Sequence, residues 1–306
     1  MVSGCRSIMS RRLRRLSAII VALCITASVL LLAGQTEAPE RAAAAVDCIP
    51  VPGDHMLAGN ALLHVPPRPK APLALVIAFH GAGGTGPGMA DYSGLSTTAD
   101  EKGFAVLYPT AATKRHFWSL NASMPGDDVN RLRALLPQAM NAACGDPSRV
   151  FATGVSNGGG FAARVGCELA GTIAAIAPVA GGYKALDPCP DGRQVSVLEI
   201  HGTADHVVPY AGRPSDGAGA VGTFLAGWVH RDGCGDAARK SRPRRNVERF
   251  THGGCDAGYQ VEHLRLTGTD HGWPGADPPW PRHNPSQLEA DEEVWAFFAR
   301  VSAHQH

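Results

Sequence analysis

Two rhythms of apolar positions alternate along this chain. A near-continuous apolar run at Leu73–Phe79 (LALVIAF) predicts a strand buried on both faces, as in a parallel sheet covered by helices, and 104–108, 150–153, 173–179, 195–200 and Val261–Leu266 read as further strands. Between them apolar residues recur at helical spacing over 92–102, over 129–143, onward from Phe161, over Val221–Arg231 and over 288–301. A strand region at 55–65, closed by Pro66 and Pro67, precedes the first buried run, and a shorter strand is expected near 247–250. Strand and helix alternate without an internal repeat, which predicts one doubly wound, mostly parallel α/β sheet. Asp127 and Asp128 stand just before a helical stretch and read as an N-cap and a first-turn charge.

The run at 150–153 leads into Gly154-Val155-Ser156-Asn157-Gly158, then two further glycines and a helical pattern. A serine between glycines at a strand-to-helix turn matches the nucleophile elbow of the α/β-hydrolase fold, where the backbone is too crowded for larger residues. Ser156 would project its hydroxyl above the sheet edge. The Asn157 N–H, at the positive end of the next helix, could hold a developing oxyanion. Leu73–Phe79 ends in His80-Gly81-Ala82-Gly83-Gly84, the place for a second oxyanion donor, here Ala82, with His80 orienting the turn. A phosphate loop is the other reading of such a turn, but no Gly-Lys-Ser/Thr follows.

A serine nucleophile needs a base to take its proton and an acid to orient that base, in the chain order Ser, acid, His. Asp187, Asp191, Asp216, Asp232, Asp236 and Asp256 sit in loop or cysteine-rich contexts, whereas Asp205 directly follows the run at 195–200; it is the expected acid. His271 lies in the turn after Val261–Leu266 and before the last helix, and it is the expected base. His201 and His206 flank the acid and are expected to shape its loop. Phe117 and Trp118 sit in an irregular segment, 110–125, as either a substrate wall or a satellite core contact.

Composition adds compartment rather than chemistry. The chain is 44% apolar and 18% charged, which suits one large domain, 47–306. Residues 1–38 carry five arginines, an uncharged apolar stretch and small residues at 36–38, and read as a secretory signal followed by a linker, 39–46. The apolar stretch also reaches membrane-spanning length, so an uncleaved anchor stays open, and with it a membrane association. Removing residues 1–38 turns the net charge from +1 to −3, which gives no support for nucleic-acid binding. Outside Cys5 and Cys24 six cysteines remain, an even number in an exported chain, and they read as disulfides. Cys167 with Cys189 and Cys234 with Cys255 would close short loops, leaving Cys48 with Cys144. No CxxC or HExxH is present, so no metal site is expected.

HGAGG, GVSNGG, HGTADHVVPY and TDHGWPG, in this order, resemble the polyhydroxybutyrate depolymerase and feruloyl esterase family of secreted α/β-hydrolases. The resemblance implies carboxylic-ester hydrolysis through Ser156, Asp205 and His271, with Trp273 beside the histidine; Trp118 and Trp273 are the expected substrate contacts, no cofactor is required, and the segment around Trp118 departs from the fuller Trp/Cys pattern of the relatives. Asn157 after the serine is similar to the feruloyl-esterase branch. Ala82 departs from the HGCGG of many relatives. The expected substrates are small or oligomeric soluble esters: hydroxycinnamoyl, acetyl or hydroxyalkanoate. Only five residues follow the helix at 288–301, and a solid polymer would ask for a second binding module. A depolymerase proper, a peptidase or lactonase on the same triad, and a non-catalytic binding protein are the alternatives. Oligomeric state is left open.

Overall fold

The computed structural model describes residues 48–121, 128–184, 189, 193–213, 215, 219–276 and 284–302. The expected signal and linker, Cys5, Cys24 and Asp127 lie outside the described residues. Ten strands form one sheet: β1 (Gly53–Leu57), β2 (Ala61–Val65), β3 (Leu73–Phe79), β4 (Ala105–Tyr108), β5 (Gly145–Val155), β6 (Ala175–Val179), β7 (Ser196–Gly202), β8 (Ala238–Arg244), β9 (Val247–His252) and β10 (Val261–Leu266). Their order is β1-β2-β4-β3-β5-β6-β7-β10-β9-β8. The six from β4 to β10 in this order run parallel; antiparallel hairpins extend both edges.

The apolar runs follow from burial on two faces. In β3, Leu73, Leu75, Ile77 and Phe79 enter one core, while Ala74, Val76 and Ala78 enter the other. The first core is covered by α3 (Asp128–Ala143), α4 (Asn157–Glu168) and α5 (Val221–Arg231). The second is covered by α1 (Gly86–Ser93), α2 (Leu95–Lys102) and α6 (Ala290–Ser302), where Phe298 stacks on Phe151 of β5 at 4.6 Å. Among the described residues no helix is long and apolar enough to cross a membrane.

Three elements differ from the sequence expectation. The region 55–65 is a hairpin, turned at Gly59 and Asn60, both with positive φ. The helix expected at 92–102 is two helices, and α1 begins six residues earlier, at Gly86, behind a Thr85 cap whose Oγ1 accepts the Gly88 N–H at 3.1 Å. β8 (ARKSRPR) carries no apolar pattern because it is exposed along its length and pairs only with β9. Its cations suit a sheet edge, where like charge discourages pairing with another chain.

The disulfides join Cys48 to Cys144, Cys167 to Cys189 and Cys234 to Cys255, the pairing expected from loop lengths. Cys48–Cys144 fastens the start of the described chain to the end of α3, and Cys167–Cys189 anchors the end of α4.

Candidate active site

Ser156 sits between β5 and α4 with φ 59° and ψ −120°, a conformation that L-residues avoid unless the surroundings impose it. The surroundings are backbone. A Cβ on Gly154 would lie 2.6 Å from Gly158 O and 2.7 Å from Phe79 O, and a Cβ on Gly158 would land on the carbonyls of Phe79 and His80. The start of α4 therefore packs directly against the end of β3, which glycine alone allows. On the other side Ser156 N donates to Val179 O, and Gly160 N and Gly182 N both donate to Ser156 O, each at 3.0 Å.

His80 closes the end of β3. Its Nδ1–H donates to Gly81 O at 2.7 Å, and its Nε2 accepts the Ala111 N–H at 3.1 Å, so the ring is neutral with one tautomer. Burial pushes its pKa down, consistent with that form. In the following turn Gly83 N donates to His116 O and Gly84 N to Gly81 O. The N–H groups of Ala82 and Asn157 have no such partner among the described residues, Asn157 because it opens α4. Gly81 lies against Ser156, and Ala82 lines the same cleft as the serine.

The expected acid and base leave adjacent strands at one level. β7 and β10 pair in parallel with Gly202 opposite Leu266. Beyond them the two loops are laced together: Thr203 N donates to Leu266 O, Ala204 N to Thr269 O and Gly268 N to Thr203 Oγ1. Gly202 permits the approach, since a Cβ there would overlap Thr269 O. Asp205 and His271 are thereby brought together, His271 Nδ1–H donating to Asp205 Oδ2 at 2.7 Å. Asp205 Oδ1 accepts the N–H groups of Val207 (2.9 Å) and Val208 (2.7 Å). Burial alone would raise the pKa of this carboxyl; hydrogen bonds from His201 and His271 outweigh it and hold the group well below the usual carboxylate range.

Ser156 and His271 line one cleft of about 700 Å³. Among the described residues no hydrogen bond joins the serine hydroxyl to His271, a looseness common before substrate binds. His80, the turn Gly81 to Gly84, Met89, Asp91, Tyr92 and Val207 are also among its lining residues. Among the described residues no group of three or more His, Cys, Asp or Glu side chains is placed to hold a metal ion.

The two tryptophans do not form the expected wall. Trp118 is 3% exposed, stacks on Phe161 at 4.7 Å and donates Nε1–H to His80 O at 2.9 Å. Trp273 is fully buried in the second core and donates its backbone N–H to the Tyr92 hydroxyl at 3.1 Å. Large flat rings are worth more in a core than on an open cleft, and sequence alone does not say which face they take. Asn157 has a second task that sequence did not show: its Oδ1 accepts the Trp118 N–H at 2.8 Å and its Nδ2 donates to Trp118 O at 3.2 Å. Asp128 likewise exceeds a first-turn charge. It is buried and accepts from Ser119 N, Ser119 Oγ (3.0 Å each) and Ala112 N (3.3 Å), tying the 111–121 segment to α3. The aromatic and thioether groups that do line the cleft, Tyr92 and Met89, come from α1, whose Gly-Pro start hid it.

No protein-family model matches the chain. The protein named "Putative esterase NocK" from Nocardia uniformis is 32% identical over 251 residues, 71% of each chain. Feruloyl esterase B of Piromyces equi is 32% identical over 157 residues, 47% of this chain and 29% of that one. A bifunctional acetylxylan esterase/xylanase of Neocallimastix patriciarum is 30% identical over 191 residues, 59% and 26% of the two chains. The chain thus spans less than a third of the length of these last two relatives. Among solved structures, the acetyl xylan esterase of Aspergillus awamori superposes with a TM-score of 0.59 at 17% identity, over 80% of this chain and 96% of that one. Thermogutta terrifontis esterase 2 does so with 0.53 at 15% identity, over 82% and 95%. At such identities the likeness speaks for the α/β-hydrolase fold, while the relative matched over 71% of both chains carries the family. The chain belongs to the feruloyl esterase and polyhydroxybutyrate depolymerase-like family of α/β-hydrolases.

Proposed function

We propose that this protein is a secreted serine esterase that cleaves soluble carboxylic esters through an acyl-enzyme. The observation that carries the reading is the 2.7 Å His271–Asp205 hydrogen bond, set on the same cleft as a serine held at φ 59°. Asp205 keeps the proton of the neutral imidazole on Nδ1, leaving Nε2 free to accept the Ser156 proton as the serine oxygen attacks the ester carbonyl. The carbonyl oxygen becomes an anion, and the N–H groups of Asn157 and Ala82 receive it. His271, now protonated between Asp205 and the substrate, returns its proton to the departing alkoxide, and the alcohol leaves. Water then repeats the sequence on the acyl-serine and frees the acid.

The cleft is open and of mixed polarity, so it selects weakly by shape; Met89 and Tyr92 offer one apolar and aromatic side. That favours hydroxycinnamoyl and small acyl esters, in line with relatives named for feruloyl and acetylxylan esterase activity. Three disulfides support an oxidising compartment, and export through residues 1–38 is part of the proposal. The test is a panel of initial rates on methyl ferulate, an aryl acetate, a hydroxybutyrate oligomer and a peptide amide. Turnover of the esters with little on the amide is expected; amide cleavage that outpaces every ester would replace the esterase with a peptidase.

A further inference from the structure

Behind the Asp205–His271 pair lies a line of buried ionisable groups that the reaction above does not use. His201, on β7 and 1% exposed, places Nε2 at 3.2 Å from Asp205 Oδ2 and 2.9 Å from Val208 O, and Nδ1 at 2.9 Å from Glu199 Oε1. Glu199 is fully buried beneath it. The Tyr183 hydroxyl donates to Glu199 Oε1 at 2.8 Å, and His263 Nδ1 lies 2.7 Å from Oε2. His263 Nε2 in turn meets the Tyr210 hydroxyl at 2.7 Å. The catalytic acid is thus the last member of a chain that crosses the sheet from β10 through β7.

We infer that His201 is a positioning residue for ester hydrolysis, an imidazolium that shares Asp205 Oδ2 with His271 and thereby fixes both the direction and the charge of the catalytic carboxylate. With Glu199 ionised, the geometry places two protons on the ring. Val208 O can only accept, so Nε2 carries hydrogen. Nδ1 faces a carboxylate oxygen that already receives the Tyr183 hydroxyl, so it carries hydrogen too. Electrostatics agree: burial pushes His201 down, but the bonds to Asp205 and Glu199 and the Glu199 charge prevail and raise its pKa to about 10. Burial pushes Glu199 up, and the neighbouring histidines overcome it to hold the group at about 2.

Two consequences follow. Asp205 accepts three hydrogen bonds, two on Oδ1 and that of His271 on Oδ2, and His201 Nε2 stands 3.2 Å from Oδ2, so the carboxylate is held facing His271. The positive ring beside Asp205 also offsets part of the negative charge that His271 feels, which lowers the proton affinity of the base and keeps it competent at lower pH. The other groups facing His271 do not supply this. Across the cleft His80 is neutral, and Tyr92, pushed up to about 12 by burial, is neutral also. Asp91 of α1 and Asp270, which accepts the His271 N–H at 2.7 Å, are acids and would act in the opposite sense. Facing His201 are Glu199 and Asp205, with Tyr210 edge-on at 5.8 Å and His263 and Tyr183 behind Glu199.

This role rests on the esterase reading, and the experiment separates the two. His201→Gln keeps an amide donor toward Asp205 but removes the charge. Its kcat/KM should fall at low pH because the acid limb moves up by about one pH unit, a loss of roughly tenfold one unit below the wild-type midpoint, with KM nearly unchanged. An unmoved acid limb in a folded, active variant would overturn the role while leaving the esterase intact. A second measurement needs neither the variant nor turnover: ¹⁵N NMR of the histidine rings in the wild-type protein should show both nitrogens of His201 protonated from pH 6 to beyond pH 8. A neutral His201 at pH 7 would overturn the inference even if every ester is hydrolysed.

Discussion

On the β3–β5 side of the cleft Ser156 is placed by backbone lying on backbone. Gly154 and Gly158 let carbonyls of β3 and α4 approach within a distance no side chain would permit, and the serine takes φ 59° as a result. On the β7–β10 side Gly202 and the backbone bonds between the two loops bring Asp205 and His271 close, and charge then orients the pair: three hydrogen bonds converge on one buried carboxylate, with the His201 ring 3.2 Å away and Glu199 behind it. The first side is fixed by excluded volume, which is indifferent to pH and salt. The second is oriented by protonation states, which are not. The proposed nucleophile would tolerate no drift of its oxygen, whereas the proposed base would exchange a proton each cycle, and the two constructions suit those proposed roles.

The largest effect on stability should come from filling the steric side. Gly158→Ala drives a methyl into the Phe79 and His80 carbonyls, neither of which can rotate away. A loss of about 3 kcal/mol in denaturant unfolding is expected, with turnover down at least about a hundredfold. A stable, active Gly158→Ala would break the contrast at its first term. On the electrostatic side Asp205→Asn sets an amide against N–H donors and favours the wrong His271 tautomer. Ester turnover should drop by on the order of 10³ to 10⁴ at neutral pH while the circular dichroism spectrum stays native.

Asn157→Ala sharpens the comparison, because Asn157 is a polar clamp on the steric side. It would free the Trp118 backbone from both of its bonds. About 1 to 2 kcal/mol of stability and about tenfold in kcat are expected to go, with little change in the pH profile. A shifted acid limb in that variant would mean that the two sides are not independent.

The smallest effect concerns the wild type alone. Glu199 has its folded pKa at about 2, below its ordinary 4.5, so its contribution is present above 4.5 and is lost as pH falls toward 2. His201 has its folded pKa raised to about 10 from 6.5, so its contribution is present below 6.5 and is lost as pH rises toward 10. Thermal unfolding should therefore show a Tm plateau between about pH 4.5 and 6.5 with a decline on either side. A Tm still rising from pH 7 to 10 would contradict the charged network.

Legibility in the sequence follows the same division. The steric side leaves a signature because glycine is irreplaceable there, so Ser156 and the HGAGG turn could be read directly. The buried strands could be read as well: β3, apolar on both faces, and β10, largely buried though it carries Glu262, His263 and Arg265, have the bounds expected of them, and α5 agrees because one stripe of its surface is apolar. β8 could not be read, since its residues face solvent and only pairing with β9 makes it a strand. Nor could Trp118 and Trp273 be assigned to core or cleft, because a ring's environment depends on elements distant in sequence. Asp205 and His271 were accessible through their positions after strands, but the Glu199–His201 pair was not, because a buried acid on an apolar strand looks like a flaw in the run until its partners are known.

The claim that Ser156 is the nucleophile, poised by the elbow and deprotonated through His271, is tested most directly by covalent capture. Wild-type protein treated with a fluorophosphonate and mapped by mass spectrometry should carry the phosphonyl group on Ser156 alone, with ester turnover lost in proportion to labelling, and Ser156→Ala should take up no label and turn over no ester. Labelling at another residue, or ester turnover that survives in Ser156→Ala, would contradict the account.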